Sequence, residues 1–202
     1  GLSVDEAHYA LYALHPALSY FDHPPMVGWL QMPFAWMGGA DWMMRVVPLV
    51  LWGITAWALW RFSVFALILF LLSPVHQLLG LALVPDTLLL PLSLWVMVLT
   101  WKLSTNMAHK PYWIWLGLAL GLAGLSKYTG VFLALGASIV LFASHGVSLL
   151  KSRGLWLAAL IAAVLISPVL IWNAQHEWVS FAYQFSHADG GSNTWDAKRL
   201  LA

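Results

Sequence analysis

Five short stretches carry the residues that could do chemistry. Val4-Asp5-Glu6 sets two adjacent carboxylates ahead of an apolar run. A carboxylate there could take the proton of a hydroxyl or amine acceptor within hydrogen-bond reach. The same pair could equally open a helix, Asp accepting backbone N–H bonds and Glu suiting the dipole. Asp22-His23-Pro24-Pro25 presents an oxygen and an imidazole on a stiff segment. That suits a divalent metal ion, with Asp22 as ligand, or a lipid phosphate held by protonated His23; the plainer alternative is an interfacial turn with solvated polar groups. Asp86, after Val84-Pro85, either caps a helix starting at Thr87 or adds a second acid to the site. Lys127, between Ser126 and Tyr128, is a point charge for phosphate or a snorkelling side chain. Arg45, in Met44-Arg45-Val46-Val47-Pro48, has the same two readings, with bidentate phosphate contact as the functional one. His76, Asn173, Gln175 and His176 fall near the same face, each by itself reading as structural or solvated.

Composition sets the medium in which these groups sit. The 202 residues are 61% hydrophobic and 8% charged, against about 25% charged in an ordinary soluble domain. Their mean hydropathy is +0.79. The chain reads as an integral membrane protein, and its 14 Trp suit a large membrane–water boundary. Acids are costly near a bilayer, so acids gathered at its edge are a functional-site hypothesis by default. There is no cysteine, which removes disulfides and thiolate metal sites. A net charge of +1 without any basic run gives no reason to expect nucleic acid.

Hydropathy and punctuation then give the positioning elements. Residues 1–41 read as an extracytoplasmic loop with short interfacial helices over Glu6–Leu14 and Met26–Trp36, the second stopped by Gly38-Gly39. Such helices are too short to cross a hydrocarbon core of about 30 Å, which needs about 20 residues. Residues 42–172 hold six expected spans: Trp42–Trp60, Phe62–Val84 kinked at Ser73-Pro74, Thr87–Lys102, Pro111–Ser126, Tyr128–Ala143 and Gly154–Trp172. Residues 173–202 return as an extracytoplasmic segment, giving an all-α polytopic transmembrane bundle. Alternation of the spans puts all eight acids, Asp5, Glu6, Asp22, Asp41, Asp86, Glu177, Asp189 and Asp196, on the side of the first loop. Arg61, Lys102, Lys110, Lys151 and Arg153 fall on the other side, which the positive-inside rule makes cytoplasmic. Arg45, Lys127, Lys198 and Arg199 are the basic residues on the acidic side. The chain opens at Gly1 directly on its acidic loop, and Asp196 to Arg199 reads as the start of another element. The expectation is an internal fragment whose N-terminal span and C-terminal part are missing.

Six of these motifs follow one another in a familiar order. Asp5-Glu6-Ala7-His8-Tyr9, Ser19 to Pro25, Arg45-Val46-Val47-Pro48, Val84-Pro85-Asp86, Leu125 to Gly130 and Pro168 to His176 together resemble bacterial relatives of the dolichyl-phosphate-mannose protein mannosyltransferases. These belong to the GT-C superfamily, which also includes the lipid A aminoarabinose transferases. The resemblance implies a GT-C-like bundle in a bacterial inner membrane, acting on the extracytoplasmic face. The enzyme would move a sugar from a polyprenyl-phosphate donor to a protein, lipid or glycan acceptor, with inversion at the anomeric carbon. Residue by residue, it implies Asp5 as catalytic base with Glu6 its motif neighbour, Asp22 and His23 as the pair that meets a metal or the donor phosphate, Asp86 as a second luminal acid and Lys127 as the lipid-phosphate lysine. Histidine at 23 stands where relatives often have lysine, so phosphate contact there depends on its protonation.

Two other classes remain as alternatives. A transporter or flippase for polyprenyl-linked lipids would line a path with charge near mid-membrane, whereas the acids here gather at one face. A non-catalytic membrane subunit would use the loop for docking and tolerate loss of Asp5.

Overall fold

The computed structural model describes residues 1–188. The second half of the return segment, with Asp189, Asp196, Lys198 and Arg199, lies outside the described residues. Among the described residues there is no strand, and the chain is an all-α membrane bundle.

The opening segment forms two antiparallel helices. Helix α1 spans Val4–Leu14, and α2 spans Met26–Trp36. Pro24-Pro25 delivers the chain to α2, whose first turn tolerates a preceding proline. Gly38 and Gly39 end it with φ values of +111° and +62°, which L side chains rarely adopt. The two helices touch closely at Gly28, whose absent side chain leaves room for Tyr12.

A four-residue turn, α3 (Asp41–Met44), leads into α4 (Val46–Phe62), and these run together as one apolar helical stretch of 22 residues. The next expected span is not straight. It divides into α5 (Val64–Leu72) and α6 (Pro74–Leu81), bent by 76° at Ser73-Pro74. Proline cannot continue the hydrogen-bond ladder, and Gln77 Nε2 supplies a donor to the freed Leu71 carbonyl at 2.9 Å. Helix α7 (Pro85–Thr105) then crosses the bundle, followed by α8 (Lys110–Ser126), a 3₁₀ turn at Tyr128–Gly130, and α9 (Val131–His145). A second 3₁₀ turn, Gly146–Lys151, leads to α10 (Arg153–Gln175) and then α11 (Val179–Ala188).

Four helical stretches are long and apolar enough to span a membrane: 41–62, 85–105, 128–151 and 153–175. The bent α5–α6 pair makes a fifth if it counts as one span. Against the six spans expected, the difference lies in that bend and in α8, whose 17 residues give a length of about 26 Å. Short as it is, α8 is the centre of the bundle, packed on α7 along one side and on α10 along the other. Trp113, Leu116, Ala119 and Ala123 on it are almost fully enclosed.

Small residues permit that central position. A β-carbon at Gly117 would stand 2.6 Å from the carbonyl oxygen of Ala158, and one at Gly121 would stand 2.6 Å from a Leu165 methyl. Without a hydrophobic drive between helices in lipid, close backbone approach of this kind is the main source of association. Gly117→Ala should therefore destabilise the bundle by about 1–3 kcal/mol, the usual cost of overpacking against atoms that cannot yield. Gly136 on α9 has open space around it, and Gly136→Ala should be neutral or slightly stabilising. Thermal unfolding of both variants in detergent micelles checks the contrast.

Candidate active site

Hydrogen bonds join α1, the 15–25 loop, the starts of α4 and α7, the end of α8 and helix α11 at one end of the bundle. Ser3, not Asp5, caps α1. Its hydroxyl accepts from the Glu6 N–H (3.3 Å), and the Ser3 N–H donates back to Glu6 Oε2 (2.8 Å). This is a Ser-x-x-Glu capping box, a local signal present in the sequence that the reading above passed over. Glu6 is 4% exposed. Arg45 closes over it, with Nε donating to Oε1 at 2.9 Å and Nη2 to Oε2 at 3.2 Å. The Arg45 hydrogen bond is the main reason that the Glu6 carboxyl titrates below its ordinary 4.5, burial opposing and Ser3 assisting. Glu6 and Arg45 thus tie α1 to the head of α4. In this ligand-free structure their charges are matched to each other. Asp5 has a different environment: its side chain is exposed and receives no hydrogen bond from the described residues.

Asp22 is the hub of the loop. His8 Nε2 and His23 Nδ1 each lie 3.1 Å from its Oδ2, and the Tyr12 hydroxyl donates to Oδ1. Gln184 on α11 donates to the Asp22 carbonyl at 2.7 Å. Burial pulls the Asp22 pKa upward, but the hydrogen bonds from His23 and Tyr12 outweigh it and hold the carboxyl well below the usual range. Asp22 is therefore ionised, and an ionised carboxylate, which can only accept, draws the N–H of each neighbouring imidazole toward itself. These donors do not fit a divalent metal ion. Both Asp22 oxygens are already engaged, and no group of three His, Cys, Asp or Glu among the described residues could hold one. No metal step is derived for this site.

His8, Tyr9 and Tyr12 form one face of α1, and only the i, i+4 spacing of His8 and Tyr12 signals this in the sequence. The Tyr9 ring meets His8 and His23 edge-on at 5.2 and 5.6 Å. Burial raises the Tyr9 hydroxyl pKa, and the charges of Asp22, Asp5 and Asp86 raise it further.

Asp86 and Lys127 form a second ion pair. Lys127 Nζ lies 2.7 Å from both Asp86 oxygens, joining the first turn of α7 to the residue after α8. Asp86 does not cap α7, which begins at Pro85 with Val84 in the cap position. Its exposed carboxylate goes to the lysine because that end of α8 stops within reach.

The remaining expected residues have structural roles. Asn173 is fully buried, donating to the Val169 carbonyl (3.0 Å) and accepting from the Ser180 N–H (3.2 Å). It holds the turn from α10 to α11, where Glu177 and Trp178 take left-handed φ values of +54° and +58°. Ser180 Oγ in turn donates to the Tyr20 carbonyl at 2.9 Å, fastening α11 over the loop. Asn173 therefore presents no free group to a substrate. His176 stacks on Trp172 at 3.9 Å and shares a 2.7 Å bond with its carbonyl. His76 lies on α6 with its ring against Phe70 at 4.9 Å, and no contact joins it to the acidic cluster.

The sequence model of the dolichyl-phosphate-mannose-protein mannosyltransferases matches residues 22–172, about three quarters of the chain. The chain belongs to that family. No curated protein and no solved structure matches it. The family match begins at Asp22, so it covers His23, Arg45, Asp86 and Lys127 and leaves α1 ahead of it.

Two apolar grooves lie between the helices of this mannosyltransferase-family bundle. One, of about 370 Å³, runs between α8, α9 and α10 from Tyr128 and Phe181 down to Leu141. Its walls are narrow residues such as Gly124, Ala134, Ala158 and Ala162. The other, of about 430 Å³, lies under Met26 and Leu30 of α2 between α4 and α7. The first begins at the residue next to Lys127.

The Glu6–Arg45 pair gives two expected outcomes. Glu6→Gln should lower stability by about 1–3 kcal/mol, the cost of leaving a buried partner of a charged group incompletely satisfied. Because the Glu6 pKa is depressed on folding, its contribution is complete above the unfolded value of 4.5 and is lost as the pH falls through the lower folded value. Unfolding of wild type and Glu6→Gln from pH 7 downward should converge in acid, and curves that stay parallel would refute the linkage.

Proposed function

We propose that this family member transfers a sugar from a polyprenyl-phosphate donor to a hydroxyl acceptor on a protein, lipid or glycan, at the extracytoplasmic end of the bundle. The observation that carries the reading is the ion pair of Lys127 with Asp86 at 2.7 Å, with an exposed Asp5 on α1 and an apolar groove lined by Tyr128, the residue after the lysine. The sidedness rests on the helix order, which puts Arg61, Lys102, Lys110, Lys151 and Arg153 at the opposite end.

The chemistry follows from what each group has available. The donor's leaving phosphate is already ionised, so it needs a cation more than a general acid. Lys127 supplies that charge, and the groove lined by Tyr128 takes the polyprenyl chain. Asp5, exposed and without a partner, receives the acceptor proton. The acceptor oxygen then bonds to the anomeric carbon as the bond from that carbon to the phosphate oxygen breaks. The electron pair leaves with polyprenyl phosphate, and the proton stays on Asp5. Holding the two substrates in line and stabilising the phosphate charge supply most of the acceleration.

The test is transfer of radiolabelled sugar from a panel of polyprenyl-phosphate sugars to extracted membrane acceptors, with the full chain in liposomes. Asp5→Asn should reduce turnover by about 10²–10⁴, the range of a general base, with the melting temperature unchanged. Lys127→Met should raise the KM for donor. Undiminished transfer by Asp5→Asn would refute its role as base, and absence of transfer from every donor by wild type would refute the function.

A further inference from the structure

We propose that Asp86 offsets the lysine's preference for the more highly charged product, so that the polyprenyl phosphate left after transfer is held no more tightly than the sugar-bearing phosphodiester. This rests on the reading of Lys127 as the phosphate-binding cation, and it assigns Asp86 a role separate from acid–base chemistry.

The geometry of the pair is the starting point. Lys127 Nζ meets both oxygens of Asp86 at 2.7 Å, so the cation is already neutralised when no phosphate is bound. Among the described residues, the charged group that meets Asp86 is Lys127 at the end of α8. The pair is also accessible: Asp86 is 49% and Lys127 26% exposed. An exposed pair contributes little to stability, so an incoming phosphate can displace the carboxylate at small cost.

The two phosphates differ in what they meet there. The donor is a phosphodiester with a single negative charge. The product is a monoester that carries about −1.5 to −2 charges at neutral pH. A lysine by itself would hold the product more tightly than the donor, and turnover would stall on product. A fixed carboxylate reverses part of that preference, because its repulsion scales with the ligand's charge and is about twice as large for a dianion. Asp86 also competes directly for the same ammonium protons and reclaims them as the product leaves. It is thus a specificity-determining residue that touches the substrate's phosphate through a shared cation.

The experiment measures binding of two short-chain probes, farnesyl phosphate and its methyl phosphodiester, to the full chain in nanodiscs by calorimetry at about pH 8, where the monoester is a dianion. In wild type the two should bind with similar affinity. Asp86→Asn should tighten the monoester about fivefold more than the diester, the scale of one extra unit of charge at a solvent-exposed site. Asp86→Glu, which retains the charge, should keep the wild-type ratio. In the transfer assay, Asp86→Asn should show product inhibition at correspondingly lower polyprenyl phosphate. Equal changes for both probes, including loss of both, would overturn the proposal while leaving Lys127 as the phosphate site. If Lys127→Met binds farnesyl phosphate as wild type does, the phosphate assignment under the proposed function fails as well.

Discussion

A carboxylate drawn toward an apolar medium must be matched, because an unpaired buried charge costs several kcal/mol. That constraint organises the acidic end of this bundle. Glu6, almost fully enclosed, is matched by Arg45 and by the Ser3 N–H. Asp22 is matched by two imidazoles and a phenol. Asp86, more exposed, has a lysine. Each match also connects separate parts of the chain: α1 to α4, α1 to the loop before α2, and α7 to α8. The arrangement of the loop therefore follows from neutralising its acids. Asp5 is the informative exception, since it remains exposed and without a partner on the same helix where Glu6 is enclosed.

The bundle below supplies the fixed frame for these pairs. Lys127 reaches Asp86 only because α8 ends where α7 begins, and α8 holds that register through its close approach to α10 at Gly117 and Gly121. A bulkier seam would move the end of α8, and with it the lysine and the mouth of the apolar groove at Tyr128. The 76° bend between α5 and α6 works differently, using proline to turn the chain and Gln77 to satisfy the exposed carbonyl. Packing density is thus concentrated around α8, while α5 and α6 pack mainly on α4.

Local signals in the sequence located most elements well. Met26–Trp36 is the helix expected, since a double proline delivers it and a double glycine ends it, and both act within a few residues. The break at Ser73-Pro74 was legible for the same reason, though not its 76° angle, which depends on how α5 and α6 seat on α4. The residues that converge at the acidic end were also legible, because alternation of spans sorts charge by side. Partnership was not. Arg45 pairs with a residue 39 positions away, and Lys127 with one 41 away, distances at which spacing carries no information. Glu6 read as a catalytic neighbour because it adjoins Asp5, yet one helical position turns the two side chains about 100° apart, one into the protein and one out of it. Asn173 read by itself as structural or solvated, but the turn that it closes depends on Ser180 beyond α10, which spacing does not show.

These pairings also bear on how a weakly charged substrate would be handled. With Asp22 ionised beneath two imidazoles and Asp86 already on Lys127, the cluster has no large excess of positive charge to attract anions at random. A phosphodiester approaching it gains little from long-range attraction and must be brought by its hydrophobic chain, for which burial contributes about 0.8 kcal/mol per methylene. In the proposed transfer, affinity therefore resides in the groove and orientation in the polar cluster. Such a division suits catalysis, since tight ionic binding of the ground state would deepen the well from which the reaction starts. It also fits the ion pair of Lys127 with Asp86, one residue before the groove-lining Tyr128: in the proposed transfer the lipid would supply the binding, and the balanced pair would leave the charge free to change partners as the phosphate does.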